Sequence, residues 1–134
     1  MNKTRGFTLI ELLVVIVILG VLIGYVAPNY FNQLQQSKVS VARTQIYAFE
    51  NALDRYRINI GKYPETRQGL SALVTQPAGI VNWNGPYLRK AIPKDPWGSD
   101  YQYRKADDEK AIILSLGADK KAGGQNTDAD ITNN

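Results

Sequence analysis

One long apolar stretch near the N-terminus constrains this chain more than any other feature of its sequence. Residues 7–27 read FTLIELLVVIVILGVLIGYVA and carry a single charge, that of Glu11. As an α-helix they extend over about 31 Å, which is close to the hydrocarbon thickness of a bilayer. After Pro28 the sequence becomes polar and contains no comparable stretch. The sequence therefore predicts one membrane-spanning helix.

The residues around this stretch distinguish a cleaved secretory signal from a retained anchor. Lys3 and Arg5 precede the apolar residues, as in both kinds of segment. A cleaved signal has a shorter apolar region that ends in small residues, whereas here the bulky Tyr25 lies close to the end and Pro28 follows. A retained anchor fits better. The positive-inside rule then places Lys3 and Arg5 in the cytoplasm and the rest of the chain outside.

Glu11 is an unexpected residue inside a membrane-spanning helix. A carboxylate there costs about 2.5–3.5 kcal/mol near the bilayer centre and less toward an end, so we expect it to have a partner. Cleavage of the chain before Phe7 would create an α-amine one helical turn from Glu11. The sequence therefore predicts that the Glu11 carboxylate meets a terminal amine, either its own or that of a neighbouring subunit.

The composition argues against an enzyme and against a nucleic-acid-binding protein. The 134 residues include no cysteine and no histidine, which excludes disulfide scaffolds and zinc ribbons and removes the usual general base. The formal net charge is +4, but the 16 basic and 12 acidic residues are spread along the chain. Nucleic-acid-binding proteins instead cluster their basic residues in a patch. At this length, one small domain is expected outside the membrane.

The residues after the apolar stretch predict a second helical half. Pro28 lacks an amide hydrogen and clashes with the preceding turn, so we expect it to kink or interrupt the helix. Residues 28–60 nevertheless favour helix, and Gly61 is a suitable stop. Apolar side chains recur there at helical spacing: Ala42, Ile46, Phe49, Leu53 and Tyr56.

Residues 61–134 are predicted to form a small globular head. Residues 66–74 favour a short helix, and residues 101–104 and 111–116 favour two strands. The acidic residues 107–109 between the strands suit an exposed hairpin turn. The predicted fold class is therefore α+β, with a long N-terminal helix packed on a small antiparallel sheet.

The N-terminal residues carry a specific resemblance to a known family. Residues 3–11, KTRGFTLIE, resemble the processing site of type IV pilin-like proteins. In that family the prepilin peptidase cuts after the glycine, here Gly6, and methylates the new N-terminal residue, here Phe7. The glutamate five residues into the mature chain, here Glu11, acts in subunit docking. The resemblance implies that residues 1–6 are a removed leader peptide and that residues 7–27 form a filament core.

The rest of the chain is similar to the G-type core pseudopilins of type II secretion systems. The matching segments are GKYP at 61–64, QGLSAL at 68–73, PKDPWG at 93–98, YQY at 101–103 and LGAD at 116–119. This resemblance implies a structural subunit of a periplasmic filament that drives export of folded proteins across the outer membrane. The implied partners are further copies of the chain, the prepilin peptidase, the minor pseudopilins and the inner-membrane assembly platform. The implied location is the bacterial inner membrane, crossed once, with the head in the periplasm.

The C-terminal residues 116–131 hold three carboxylates and a glycine pair and allow two interpretations. Because no apolar side chain larger than alanine lies between Leu116 and Ile131, the segment has little hydrophobic reason to be ordered. A frayed acidic tail is therefore one interpretation. The other is a calcium loop, since Ca²⁺ takes about six to eight oxygens from carboxylates and backbone carbonyls. The spacing of the acidic residues differs from that of an EF-hand.

The resemblance to G-type pseudopilins favours calcium, because that family binds the ion in this loop. The ligands it implies are three side chains, those of Asp119, Asp128 and Asp130, and the backbone carbonyls of Leu116 and Thr127. The family often has glycine where this chain has Lys120. The positive charges of Lys120 and Lys121 near the ion are expected to lower its affinity.

Three other functions remain open from the sequence. A type IV pilus or DNA-uptake pilin shares the leader, although many such pilins close their C-terminal region with a disulfide that this chain cannot form. A signal-anchored periplasmic binding domain would use the aromatic residues Trp83, Tyr87 and Trp97 as a ligand platform; it predicts an uncut N-terminus and a monomer. An enzyme with a pilin-like leader would need a paired base and nucleophile, for which the sequence offers no candidates.

Overall fold

The computed structural model of the chain describes residues 6–106 and 110–133. Its regular elements are helix α1 (Leu9–Ile60), a 3₁₀ helix at Leu70–Leu73, strands β1 (Gln102–Lys105) and β2 (Ala111–Ser115), a 3₁₀ helix at Asn126–Asp128, and strand β3 (Ile131–Thr132). The described residues form two compact units, one up to Gln35 and one from Gln36 onward. The predicted α+β fold, a long helix with a small antiparallel sheet, is confirmed.

The first unit consists of the N-terminal part of α1 and the residues just before it. Every side chain from residue 7 to residue 26 is exposed, although nearly all of them are apolar. The most apolar 18-residue window of this helix has a mean hydropathy of 2.9, and the helix is long enough to cross a membrane. Water does not solvate such a surface favourably, so lipid or other apolar helices must cover it.

Helix α1 continues through Pro28. Of the two predicted effects of this proline, a kink or an interruption, the interruption is therefore wrong. The helix comprises 52 residues without a break. A proline removes only one amide hydrogen from the backbone ladder, and the long helical segments on both sides keep their own hydrogen bonds. Because extending an existing helix is much easier than starting a new one, a single defect does not divide it.

The core of the second unit is built on one face of α1. The five apolar residues predicted from helical spacing, from Ala42 to Tyr56, are all at most 3% exposed. Ala52, which was not predicted, is buried with them. The Phe49 ring packs edge-on against the Tyr101 ring at 5.0 Å between centroids. The predicted apolar stripe is therefore confirmed as the wall of the core.

A three-stranded antiparallel sheet, in the order β1-β2-β3, contributes Ala111, Ile113 and Ile131 to the core. Tyr103 of β1 pairs with Ile113 of β2, and Ser115 of β2 pairs with Ile131 of β3. The two predicted strands are confirmed within one residue of their ends. Strand β3 was missed because two residues are too short for an alternating pattern. The predicted acidic turn at 107–109 lies outside the described residues.

The helix predicted at residues 66–74 forms only as the short 3₁₀ helix at Leu70–Leu73. Gly69 precedes it with φ of +60°, a conformation that L-residues rarely adopt, so the backbone turns sharply where the prediction continued a helix. Leu70 and Leu73 are buried. The predicted helix therefore forms over four residues only, and its predicted length was wrong.

Two tyrosine hydroxyls on and beside β1 tie the sheet to its surroundings. Tyr101 donates a hydrogen bond to the side-chain oxygen of Gln45 in α1, and Tyr103 donates to the Pro64 carbonyl at 2.7 Å. Burial raises the pKa of Tyr101 to about 12 and also raises the pKa of Tyr103. Both phenols therefore stay protonated and act as donors at neutral pH.

Replacement of Leu53 by alanine is expected to destabilise the second unit strongly. Leu53 is 1% exposed, and removing a buried leucine side chain costs about 2–5 kcal/mol of unfolding free energy. Ile58→Ala is the matched control, because Ile58 lies in the same helix and is 80% exposed. Its effect should stay within about 0.5 kcal/mol. Thermal and denaturant unfolding of the full chain in detergent measures both; equal losses would contradict the packing.

Candidate functional site

The predicted cleavage position lies in an accessible segment. Gly6 and Phe7 are both exposed and precede α1, which begins at Leu9. The Phe7 side chain is 87% exposed, and a Cβ placed on Gly6 would meet no atom within 4 Å. Among the described residues, none covers the bond between Gly6 and Phe7.

Glu11 lies in the first turn of α1 and closes its N-terminus together with Thr8. The Glu11 carboxylate accepts hydrogen bonds from the Thr8 amide at 2.8 Å and from the Thr8 hydroxyl at 2.9 Å. The Glu11 amide in turn donates to the Thr8 hydroxyl oxygen at 3.3 Å. This arrangement is a capping box, whose sequence signature is a threonine followed three residues later by a glutamate. That signature is present in the sequence, but Thr8 was not predicted.

The C-terminal residues 116–130, here called the acidic loop, fold back on themselves through backbone hydrogen bonds. The Ala118 amide donates to the Thr127 carbonyl at 3.2 Å, and the Asp130 amide donates to the Gly123 carbonyl at 3.2 Å. The loop therefore has two limbs that run close together. Its order comes from polar contacts, which is how a segment without large apolar side chains can adopt a fixed conformation.

Asp130 places one carboxylate oxygen in a buried position without a hydrogen bond. Its Oδ2 accepts from the Gly123 amide at 2.9 Å, whereas its Oδ1 is buried and has no protein partner within the described residues. A buried acceptor that lacks a partner is costly, and a carboxylate more so. This oxygen is therefore suited to bind a cation.

Asp119 and Asp128 are exposed and differ from Asp130 in their surroundings. The Asp119 carboxylate accepts from the Lys121 amide at 3.0 Å. Within the described ranges, no three acidic side chains lie close enough together to form a metal-binding group. The structure thus brings the two limbs together but does not gather all three predicted carboxylates around one point.

The backbone of the two limbs meets at Gly117. This residue is buried and has φ of +69°, and a Cβ there would lie 2.9 Å from the Ala129 carbonyl oxygen and 3.1 Å from that of Thr127. Since Gly117 follows Leu116 directly, the residues of both predicted carbonyl ligands lie near this contact. The Ala129 carbonyl lies here as well and was not predicted.

Lys120 occupies a backbone conformation that suits glycine better. Its φ is 59°, in the left-handed region, where an L-residue costs roughly 1–2 kcal/mol. The resemblance to G-type pseudopilins implies that glycine is common at this position. The structure provides the physical reason, because glycine carries no Cβ and adopts this conformation without that cost.

The aromatic residues that suggested a ligand platform contribute to core packing instead. The Trp83 indole donates a hydrogen bond to the Ala72 carbonyl at 2.9 Å. Its ring packs edge-on against Tyr87 at 5.7 Å, and Tyr87 packs against Tyr56 at 5.6 Å. Trp97 is partly buried against the same core. The Trp83 and Tyr87 rings therefore contact each other, and all three aromatic residues pack against the core of the head.

The long apolar helix and the small antiparallel sheet define a pilin-like protein. Residues 1–27 match the family model "Prokaryotic N-terminal methylation motif", and residues 29–134 match "Type II secretion system (T2SS), protein G". The chain belongs to this protein G family of type II secretion systems, as the sequence resemblance predicted.

Known relatives agree with the family assignment along nearly the whole chain. "Type II secretion system core protein G" of Vibrio cholerae is 47% identical over 137 residues, which cover 99% of this chain and 93% of the relative. The protein of the same name from Pseudomonas aeruginosa is 48% identical and covers 98% of this chain and 96% of the relative. The crystal structure of the major pseudopilin from the type 2 secretion system of enterohaemorrhagic Escherichia coli is similar, with a TM-score of 0.64 and 34% identity over 79% of this chain and 94% of that chain.

Replacement of Gly124 by alanine is expected to disrupt the acidic loop. A Cβ on Gly124 would overlap the Asp128 carbonyl, and relieving such an overlap costs about 1–3 kcal/mol. Gly123→Ala is the matched control: Gly123 and Gly124 have similar φ values, 97° and 90°, but a Cβ on Gly123 would meet no atom within 4 Å.

Unfolding temperature and limited proteolysis of the loop measure the difference between these two variants. Gly124→Ala should lower the unfolding temperature more than Gly123→Ala and expose the loop to cleavage. If both variants behave alike, the close approach of Gly124 to Asp128 is contradicted.

Proposed function

We propose that this chain is a structural, non-enzymatic subunit of the pseudopilus of a type II secretion system. Many copies assemble into a periplasmic filament that drives the export of folded proteins across the outer membrane. The observation that carries the proposal is the exposed apolar surface of residues 7–26, which belongs to a chain of the protein G family. Before assembly, lipid of the inner membrane covers this surface; in the filament, the same helices of neighbouring copies cover it.

The first step in this pathway is removal of the leader by the prepilin peptidase. The enzyme cuts between Gly6 and Phe7 and then methylates the new amine of Phe7. The match to the N-terminal methylation motif and the exposure of the bond support this step. The remaining chain keeps α1 as its single membrane anchor, with the head in the periplasm. Minor pseudopilins and the inner-membrane assembly platform are the further partners.

Glu11 is the residue through which the processed N-terminus acts in assembly. Its carboxylate lies 2.8 Å from the Thr8 amide nitrogen. A small movement would therefore bring the amine created on the adjacent Phe7 into contact with this carboxylate. In the bilayer, this pairing lowers the cost of a buried carboxylate. During assembly, the carboxylate exchanges its own amine for that of a neighbouring copy, which selects one register of packing between helices.

Intact-mass analysis of the chain from native membranes tests this function together with a secretion assay. The mass should equal that of the chain without residues 1–6 plus one methyl group, and fragment sequencing should place the methyl on Phe7. Cells without the prepilin peptidase provide the control and should hold the full-length chain. Removal of this chain from the cell should stop the export of folded proteins into the medium.

Two results would contradict the pseudopilus. A chain that still begins at Met1 in cells with an active peptidase would favour a signal-anchored binding domain. Loss of twitching motility or DNA uptake, with secretion intact, would instead assign the chain to a type IV pilus.

We further propose that the acidic loop binds a calcium ion. The buried Oδ1 of Asp130, which has no hydrogen-bond partner among the residues that the structure describes, supplies one ligand. The Leu116 and Thr127 carbonyls lie on the two limbs that meet at Gly117. The exposed carboxylates of Asp119 and Asp128 turn toward the ion from the rim. Calcium suits such a mixed set because its coordination is flexible, whereas Mg²⁺ demands a near-ideal octahedron. The bound ion supplies a charged bridge between the limbs.

Calcium is expected to raise the unfolding temperature of the full chain in detergent after treatment with a chelator. A ligand at about 100 times its Kd stabilises the folded state by about 2.7 kcal/mol. Asp119→Ala should abolish the increase. Asp100→Ala is the matched control, because Asp100 is an exposed aspartate outside the loop whose ion pair with Lys94 spans 3.7 Å; it should leave the increase intact. A wild-type chain without any calcium response would remove the site.

A further inference from the structure

Asp95 is a buried carboxylate that lies outside the acidic loop. It is 4% exposed, and its Oδ1 accepts hydrogen bonds from the Trp97 amide at 3.1 Å and the Ser99 amide at 2.8 Å. Its Oδ2 accepts from the Ser115 hydroxyl at 2.7 Å. A charged group this deep in the protein is tolerated only with such donors. The Ser115 contact links residues 95–99 to the sheet across 20 positions of sequence.

Ser115 connects Asp95 to the acidic loop through hydrogen bonds. It is the last residue of β2 and is fully buried. Its hydroxyl oxygen accepts a hydrogen bond from the Gly117 amide at 3.4 Å. The same hydroxyl donates a hydrogen bond to the Asp95 carboxylate. Gly117 is the residue whose backbone lies against the carbonyls of Thr127 and Ala129. Gly117 therefore lies at the contact between the two limbs and is hydrogen-bonded to Ser115.

We propose that Asp95 is a positioning residue for the calcium loop. Through Ser115 it holds Gly117, and with Gly117 the carbonyl of Leu116, at the spacing from the second limb that the ion requires. Asp95 does not touch the ion; it acts only by orienting the first limb. This inference rests on the calcium site proposed above. Residues 95–99 then contribute to cation binding, although they lie far from the loop in the sequence.

Two variants remove the link from opposite sides. Ser115→Ala deletes the hydroxyl that joins Asp95 to Gly117. Asp95→Asn keeps an oxygen for the Trp97 and Ser99 amides but presents an NH₂ group to Ser115, whose proton then loses its acceptor. Ser115→Ala removes the hydrogen bond between the two segments. Asp95→Asn removes the bond that the Ser115 hydroxyl donates to a carboxylate and leaves at most a weaker one, from the new NH₂ group to the hydroxyl oxygen. Measuring both keeps the test decisive if one of them fails to fold.

Calcium titration by calorimetry, with the full chain in detergent, is the test. Loss of one positioning hydrogen bond should weaken calcium binding by about 3- to 10-fold in each variant. Tyr103→Phe is the matched control, because it also deletes one hydroxyl, which donates to the Pro64 carbonyl away from the loop. It should lower the unfolding temperature yet leave the Kd for calcium unchanged.

The outcomes separate this inference from the calcium site itself. Weaker binding in Ser115→Ala and Asp95→Asn, with normal binding in Tyr103→Phe, supports the positioning role. Wild-type affinity in both variants, despite a lower unfolding temperature, overturns it and leaves the calcium site standing. If the wild-type chain binds no calcium while it is processed and supports secretion, the site fails, the inference fails with it, and the pseudopilus function is unaffected.

Discussion

The apolar face of α1 between Ala42 and Tyr56 is the surface on which the rest of the head is arranged. Each of its inward side chains is almost completely buried, and the sheet, the 3₁₀ helix at Leu70–Leu73 and the aromatic residues all pack around it. A head without disulfides has few other sources of stability, since its size limits how much surface it can bury. Large rings such as those of Phe49 and Tyr101 therefore contribute much of the apolar contact.

In the N-terminal part of the same helix, the apolar side chains are exposed and not buried. These side chains cover the whole circumference, so their stabilisation comes from lipid or from neighbouring helices. Close packing between such helices depends on geometry and on polar contacts, because lipid provides no hydrophobic drive. A carboxylate at Glu11, already held in a defined position by Thr8, is a polar group that can specify how two helices align. In the proposed function, anchoring and assembly use the same surface.

The acidic loop illustrates how a segment without a hydrophobic core is ordered. Its limbs are joined by backbone hydrogen bonds, and its close contacts occur where glycine permits them, at Gly117 and Gly124. Among the described residues, the buried Oδ1 of Asp130 has no hydrogen-bond partner, and the proposed cation would supply one. The Asp95 carboxylate accepts a hydrogen bond from Ser115 at the end of β2, where the loop begins.

Several features depend on neighbouring residues alone and could be predicted from the sequence: the apolar stretch, the stripe of α1, the two longer strands and the leader motif. These signals are local periodicities and short motifs, so they can be recognised without a fold. Three other features depend on the folded chain: α1 continues through Pro28, Ile131 begins a third strand, and Asp95 reaches Ser115. In each of these cases the deciding contact or hydrogen-bond ladder extends beyond the local pattern: the long helix outweighs one missing amide, two residues form a strand only beside β2, and a buried carboxylate finds its donor far along the chain.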